Sequence, residues 1–239
     1  MPNYAHHTFE GGGIAIWHIT ETSDELYALL GTQRYDAQLL TKKNESRRAE
    51  WLAVRLLVKE LFGPECEVAY HPTGRPYLKG STAHISISHT KGFAAVAYHR
   101  EALIGMDVEY IAPRVERIAS RFTTQDEAAY IDVHDEHARQ MYHLINWSAK
   151  ETLYKLFDSP SLAEFKEAFH IAPYALDECG TMEATVCSAA RSVLAVSYRI
   201  FPTFVCTWAV ANSQPTNEAR VEAKFTLIIP SEEEEKPTQ

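Results

Sequence analysis

The chain has 239 residues, 46% of them hydrophobic, with a formal net charge of -9 and a pI near 5.7. That length supports one large domain or two small ones around a real core. The acidic balance argues against a nucleic-acid partner, and no segment reaches the roughly 18 apolar residues of a membrane helix, so no membrane partner is expected either.

The charge is uneven. Residues 1–100 carry 11 Lys and Arg against 10 Asp and Glu, whereas residues 101–239 carry 12 against 22. Residues 34–59 hold seven basic against three acidic side chains, a local basic face suited to an anionic ligand. The four cysteines form no CxxC pair and no metal-site spacing, and MPNYAHHTFEGGG has no apolar signal core. The expectation is a reduced, cytoplasmic protein.

In chain order, GIAIWHI (13–19) reads as a first strand. YDAQLL and the following NESRRAEWLAVRLLVKELF read as helix, with Trp51, Val54, Val58 and Leu61 on one face and Gly63-Pro64 as the stop. CEVAYH is a strand, PTGRPYLKG a turn-rich loop, and HISISH and FAAVAYH short strands joined by TKG. LIGMDVEYI (103–111) follows as a strand. RVERIASRF and TTQDEAAYI read as short helices, the second with Thr124 and Glu127 spaced for a capping box. EHARQMYHLINWSAKETLYKLF is a long amphipathic helix over 136–157, ended by Asp158-Ser159-Pro160. AFHIA, ATVCSAA, SVLAVSYRI and TFVCTWAV are strands, VEAKFTLII adds one more, and SEEEEKPTQ is an acidic, disordered tail.

The pattern predicts an α+β fold of two similar lobes in a pseudo-twofold arrangement, each with a long helix packed on a small, mainly antiparallel sheet. The expected boundaries are 1–103 for an N-terminal lobe, 104–228 for a C-terminal lobe and 229–239 for the tail.

The strand 103–111 raises a chemical question. Asp107 and Glu109 are two positions apart and so share a face, with Ile104, Met106 and Val108 on the other. Two carboxylates on one face of an apolar strand repel unless something pairs with them. On the long helix, Glu151 lies one turn before Lys155. Taken singly, these are a solvated strand face and an exposed helix pair. Taken together, three carboxylates suggest one divalent metal, Mg²⁺, which favours carboxylates and phosphate oxygens. No GxxxxGK[ST] loop accompanies them, so phosphoryl chemistry would proceed without a Walker site. If repulsion between the acids dominates, Asp107→Ala leaves the fold largely intact.

Ile104-Gly105-Met106-Asp107-Val108-Glu109, followed by Trp147-Ser148-Ala149-Lys150-Glu151-Thr152-Leu153-Tyr154-Lys155, resembles the 4'-phosphopantetheinyl transferases of the two-lobed class, which activate carrier domains of peptide, polyketide and fatty acid synthases. The family pattern reads roughly (I/V)G(I/V)D(I/V)E, then (F/W)(S/C/T)xKExxxK, and Met106 is the one departure. GRPYL (74–78), ISISHT (85–90, with Ser86 in the place of an Asn) and Arg121-Phe122 with Glu127 extend the likeness.

The resemblance implies transfer of 4'-phosphopantetheine from coenzyme A to a serine of an apo acyl or peptidyl carrier protein, with release of 3',5'-ADP. It implies Mg²⁺ on Asp107, Glu109 and Glu151, with Glu151 as the base and Lys155 next to the transferred phosphate. It places Ser88 and His89 at the 3'-phosphate of coenzyme A, with Arg75 on the same ligand. Arg48 and Arg55, seven apart on the first long helix, are the further phosphate candidates, with Lys43 and Arg47 weaker ones. Two lobes in one chain complete the site without a partner copy, so a monomer is expected. The rival readings are another Mg²⁺-dependent phosphotransferase or hydrolase on a nucleotide-like substrate, and a catalytically silent coenzyme A-binding protein.

Overall fold

The computed structural model describes residues 3–133, 135–157, 165–187, 192–211 and 226–228. The chain opens with a hairpin of β1 (Asn3–Phe9) and β2 (Gly12–His18). Gly11 allows the turn, since its φ of 74° is costly for a residue with a Cβ. Helix α1 (Ser23–Leu30) starts at Thr22, whose side chain and that of Glu25 form a reciprocal capping box. After the single turn of α2 (Asp36–Leu39) comes α3 (Glu45–Phe62), capped by the Asn44 side chain. The strands β3 (Glu67–Tyr70) and β4 (Pro76–Lys79) pair with each other, and β5 (His84–Thr90) and β6 (Phe93–His99) form a second hairpin.

The second half begins with β7 (Ile104–Tyr110), α4 (Arg114–Ile118) and a 3-10 turn at Ala119–Arg121. The capping box expected at Thr124 is present at the start of α5 (Gln125–Ile131). The long helix α6 runs Glu136–Phe157, and the residues expected to end it lie outside the described ones. Then come α7 (Phe165–Ala168), β8 (Phe169–Ile171), β9 (Cys179–Val186), β10 (Ser192–Ile200), β11 (Phe204–Val210) and β12 (Thr226–Ile228).

The architecture is α+β, as expected. One antiparallel sheet has the order β12-β1-β2-β6-β5 and the other β7-β11-β10-β9-β8. Helix α3 covers the first through Leu52, Ala53 and Leu56, packed on Ala15, Trp17, Ala94 and Val96. Helix α6 covers the second through Ile145, Ala149 and Leu153, packed on Met182, Val196, Val205 and Ala209. The other faces of the two sheets meet in a third apolar layer that includes Ile14, Ile16, Ala95, Met106, Val108 and Cys206. Strand-pleat alternation builds this sandwich: Ala15 and Trp17 of β2 face α3, while Ile14 and Ile16 face the other sheet. Strand β12 pairs with β1, so VEAKFTLII contributes its strand to the first sheet rather than to the second half in which it was expected. The tail beyond it lies outside the described residues. Among the described residues, no helix is long and apolar enough to cross a membrane.

Candidate functional site

The site begins where two sheet edges meet. β5 ends the first sheet and β7 ends the second. An edge strand leaves backbone N–H groups that must find partners when buried. Here the hydroxyls of β5 supply them: Ser86, Ser88 and Thr90 accept from the backbone N–H groups of Met106, Val108 and Tyr110 at 3.0, 3.3 and 3.0 Å. The two-residue period of ISISHT therefore matches the free donors of β7. Ser86 is one of these zipper hydroxyls, which gives the departure from the family's Asn a structural role.

The seam places Asp107 against α6. Its Oδ1 accepts from Ser88 Oγ at 2.9 Å and from Lys155 Nζ at 2.8 Å, and its Oδ2 accepts from Ser148 Oγ at 2.9 Å. Lys155 spends its other donors on Ser88 Oγ and the carbonyl of Met106, at 3.0 and 3.1 Å. Ser148 continues into a buried hydroxyl chain through Thr207 and Thr152. Gly105 makes room for this approach, because a Cβ there would press on the backbone of Thr152 and reach within 2.9 Å of Leu156 Cβ.

Glu109 shares the face of Asp107, as expected, and its Oε1 accepts from Trp147 Nε1 at 2.8 Å. Burial raises its pKa, and the charge of Asp107 adds to the rise. Glu151 is pushed up to about 7, first by burial and then by Asp107, with Glu109 adding to the effect and Lys155 opposing it. The three carboxylates thus stand in electrostatic range of one another.

They are not, however, gathered into the expected ligand set. Among the described residues, no group of three or more His, Cys, Asp or Glu side chains is placed to hold an ion. The physical reason is that Lys155 supplies the positive charge against Asp107, while Trp147 holds Glu109. The donor chemistry nevertheless fits Mg²⁺: all three are hard oxygen donors whose repulsion a divalent cation would remove. Asp107, Glu109 and Glu151 would hold it once Lys155 moved off Asp107.

A cleft of about 920 Å³ runs from Asp107 to α3, and Asp107, Lys155, Ser88, His89, Arg55 and Arg75 all line it, whereas Glu109 and Glu151 do not. The volume falls within the ~300–1,000 Å³ of small-molecule sites. Arg55 is only 3% exposed and lies over the Trp51 ring at 3.4 Å. Its Nη1 donates to the carbonyl of Trp51, the Tyr70 side chain stands against the guanidinium, and among the described residues Nε and Nη2 have no acceptor at normal hydrogen-bond geometry. Arg75 lines the cleft but also donates Nη2 to the carbonyls of Lys155 and Leu156 at the end of α6. Arg48 is not in the cleft; it pairs with Asp24 at 3.5 Å. The neighbouring Arg47 lines the cleft instead, with Lys42, Lys43 and Glu50. Seven residues back from Arg55 lands within ~20° of its face and eight lands ~80° away, so spacing alone favours Arg48; Arg47 reaches the cleft because Glu50 and His89 hold its side chain there, while Asp24 holds Arg48.

Glu127 and Lys150 belong elsewhere. They form a fully buried ion pair at 2.8 Å, with Glu127 also accepting from the backbone of Thr124 and Ile171. Trp147 packs on Phe122 at 5.1 Å as a core anchor.

Residues 103–204 match the model of the 4'-phosphopantetheinyl transferase superfamily. A 4'-phosphopantetheinyl transferase AcpT of Escherichia coli O157:H7 is 31% identical over 113 residues, covering 46% of this chain and 57% of that protein. The AcpT of Salmonella typhi is 32% identical over 80 residues, 33% of this chain and 42% of its own length. The chain thus spans about half the length of the curated relatives it matches. The likeness read from the motifs is borne out, and the matched segment contains Asp107, Glu109, Glu151 and Lys155.

Proposed function

We propose, from a second half that carries a 4'-phosphopantetheinyl transferase superfamily domain, that this chain moves 4'-phosphopantetheine from coenzyme A onto a serine of an acyl or peptidyl carrier protein. One observation carries the reading. A single cleft joins the basic residues of α3 to the Asp107–Lys155 pair, so one elongated ligand can place phosphates at one end and a reacting pyrophosphate at the other.

In this reading Arg55 and His89 grip the adenylate end, with the Arg55 guanidinium, held over Trp51, offering buried donors to the phosphate. Glu151, with a pKa near 7, takes the proton from the carrier serine as its oxygen attacks the phosphorus that bears pantetheine. The pyrophosphate P–O bond breaks, and 3',5'-ADP leaves with the electron pair. Lys155, released from Asp107, neutralises charge on the transferred phosphate. Mg²⁺, when held by Asp107, Glu109 and Glu151, supplies Lewis-acid stabilisation of that charge.

The test is the mass of an apo-carrier before and after incubation with the protein, coenzyme A and Mg²⁺. A phosphopantetheine-sized gain is expected, together with release of 3',5'-ADP and loss of both with a chelator. No gain on any of several acyl and peptidyl carriers would defeat the proposal.

A further inference from the structure

Glu50 sits where an anion-binding cleft should least want a carboxylate. It is 8% exposed and lines the same cleft as Lys42, Lys43, Arg47, Arg55 and His89. By charge alone it would repel any phosphate that entered. Its contacts show a different use. Oε2 accepts from Arg47 Nη1 at 3.2 Å and lies 3.3 Å from His89 Nδ1, while Oε1 accepts from Ser46 Oγ at 3.2 Å.

The groups it joins need joining. The Arg47 side chain is 62% exposed, and a long exposed side chain loses rotamer freedom when a ligand fixes it. Arg47 Nη1 also lies 3.1 Å from His89 Nε2, so burial and then the guanidinium both disfavour a proton on the imidazole, while Glu50 favours one. The carboxylate between α3 and β5 contacts both side chains through one oxygen and so fixes both groups before ligand arrives.

We propose that Glu50 is a positioning residue, which holds Arg47 and His89 as a preset pair of donors for a phosphate monoester. The proposal rests on the coenzyme A reading, including the 3'-phosphate contact at His89 that the family resemblance implies. Glu50 acts through its two partners and does not itself touch the ligand.

Isothermal titration of the wild-type chain, Glu50→Gln and Glu50→Ala with 3',5'-ADP and with 5'-AMP separates positioning from charge. Loss of a negative charge by itself tightens anion binding. Loss of positioning weakens it, and only for the nucleotide with the additional phosphate. The expected result is 3',5'-ADP affinity reduced on the order of ten-fold in Glu50→Ala. Glu50→Gln, whose amide oxygen still accepts from Arg47, should lie between Ala and wild type. The affinity for 5'-AMP should change little, and thermal melts should show the Gln variant folded. Unchanged or tighter 3',5'-ADP binding in both variants overturns the proposal while leaving the coenzyme A reading in place. A wild-type chain that binds neither nucleotide overturns that reading, and this proposal with it.

Discussion

Asp107 is a hub of hydrogen bonds as much as a source of repulsion. It receives Ser88, Ser148 and Lys155, and its side chain is 7% exposed. Asp107→Ala therefore strands a partly buried ammonium and two hydroxyls, against the expectation from charge repulsion alone that the fold would be largely indifferent. Removing one member of such a pair costs roughly 3–5 kcal/mol when burial is complete, and Lys155 at 26% exposure should bring this to about 2–3 kcal/mol. Urea unfolding should show the loss alongside abolished transfer. Glu151 titrates in the opposite sense. Its folded pKa of about 7 exceeds the ordinary 4.5, so across that window the folded chain holds a proton that the unfolded chain lacks. Stability then falls as pH rises from 4.5 through 7. With a chelator present, Glu151→Gln should be more stable than wild type at pH ~8, by on the order of 1–3 kcal/mol, with the gain vanishing by pH ~4. A Gln variant no more stable at the higher pH would remove burial as the cause of the shift. As a general base, the same carboxylate should make transfer rise with pH through about 7.

At the scale of elements, Gly105 sets how closely α6 approaches β7. Gly105→Ala pushes a methyl group into the Thr152 backbone and the Leu156 side chain, neither of which is a flexible chain end. Overpacking of this kind costs ~1–3 kcal/mol, and here it also moves Lys155 away from Asp107. Thermal denaturation should show a clear drop in Tm, and an unaffected melt would mean that α6 adapts more freely than the packing indicates. The sequence made the long elements legible. Helix α6 and the strand Ile104–Tyr110 carry unbroken 3.6- and two-residue periods, and Thr124 with Glu127 announces a helix start. Shorter elements were harder. Helix α1 carries the same Thr-x-x-Glu signal at Thr22 and Glu25, but only eight residues follow. Strand β1 carries His6, His7 and Thr8 in a row, so no two-residue alternation stands out, although Gly11-Gly12-Gly13 marks its hairpin. Strand β4 begins at Pro76, which favours an edge-strand or loop reading. Among the candidate site residues, the mutual approach of the carboxylates and Lys155 was legible from spacing. Glu50 was not, because a lone acid on a basic helix face reads as an i,i+3 surface pair until His89 is brought against it from β5.

For the molecule as a whole, the question is what keeps the two sheets in one register so that the cleft has a fixed width. The apolar layer around Met106 and Cys206 supplies adhesion without direction. Direction comes from the polar contacts that cross between the halves: the hydroxyl zipper of β5 on β7, Lys155 on Ser88, and Arg75 on the end of α6. Arg75 belongs to the loop between β3 and β4 of the first half, yet its Nη2 serves two carbonyls in the last turn of a second-half helix. Those carbonyls lie toward the C-terminal end of α6, where the helix dipole favours a cation. The Arg75 guanidinium is thus a bridge between the two halves where it lines the cleft. Arg75→Ala should loosen the last turn of α6 and speed amide exchange around Lys155 and Leu156, at a cost of about 1–2 kcal/mol in stability. Arg75→Lys should restore part of that protection, since an ammonium can serve the same carbonyls without the planar fork. Coenzyme A binding, measured by calorimetry, should weaken in the Ala variant and recover in part with Lys. Unchanged exchange in the last turn of α6, with weakened binding, would assign Arg75 to the ligand alone and leave the lobe interface to the zipper and the apolar layer.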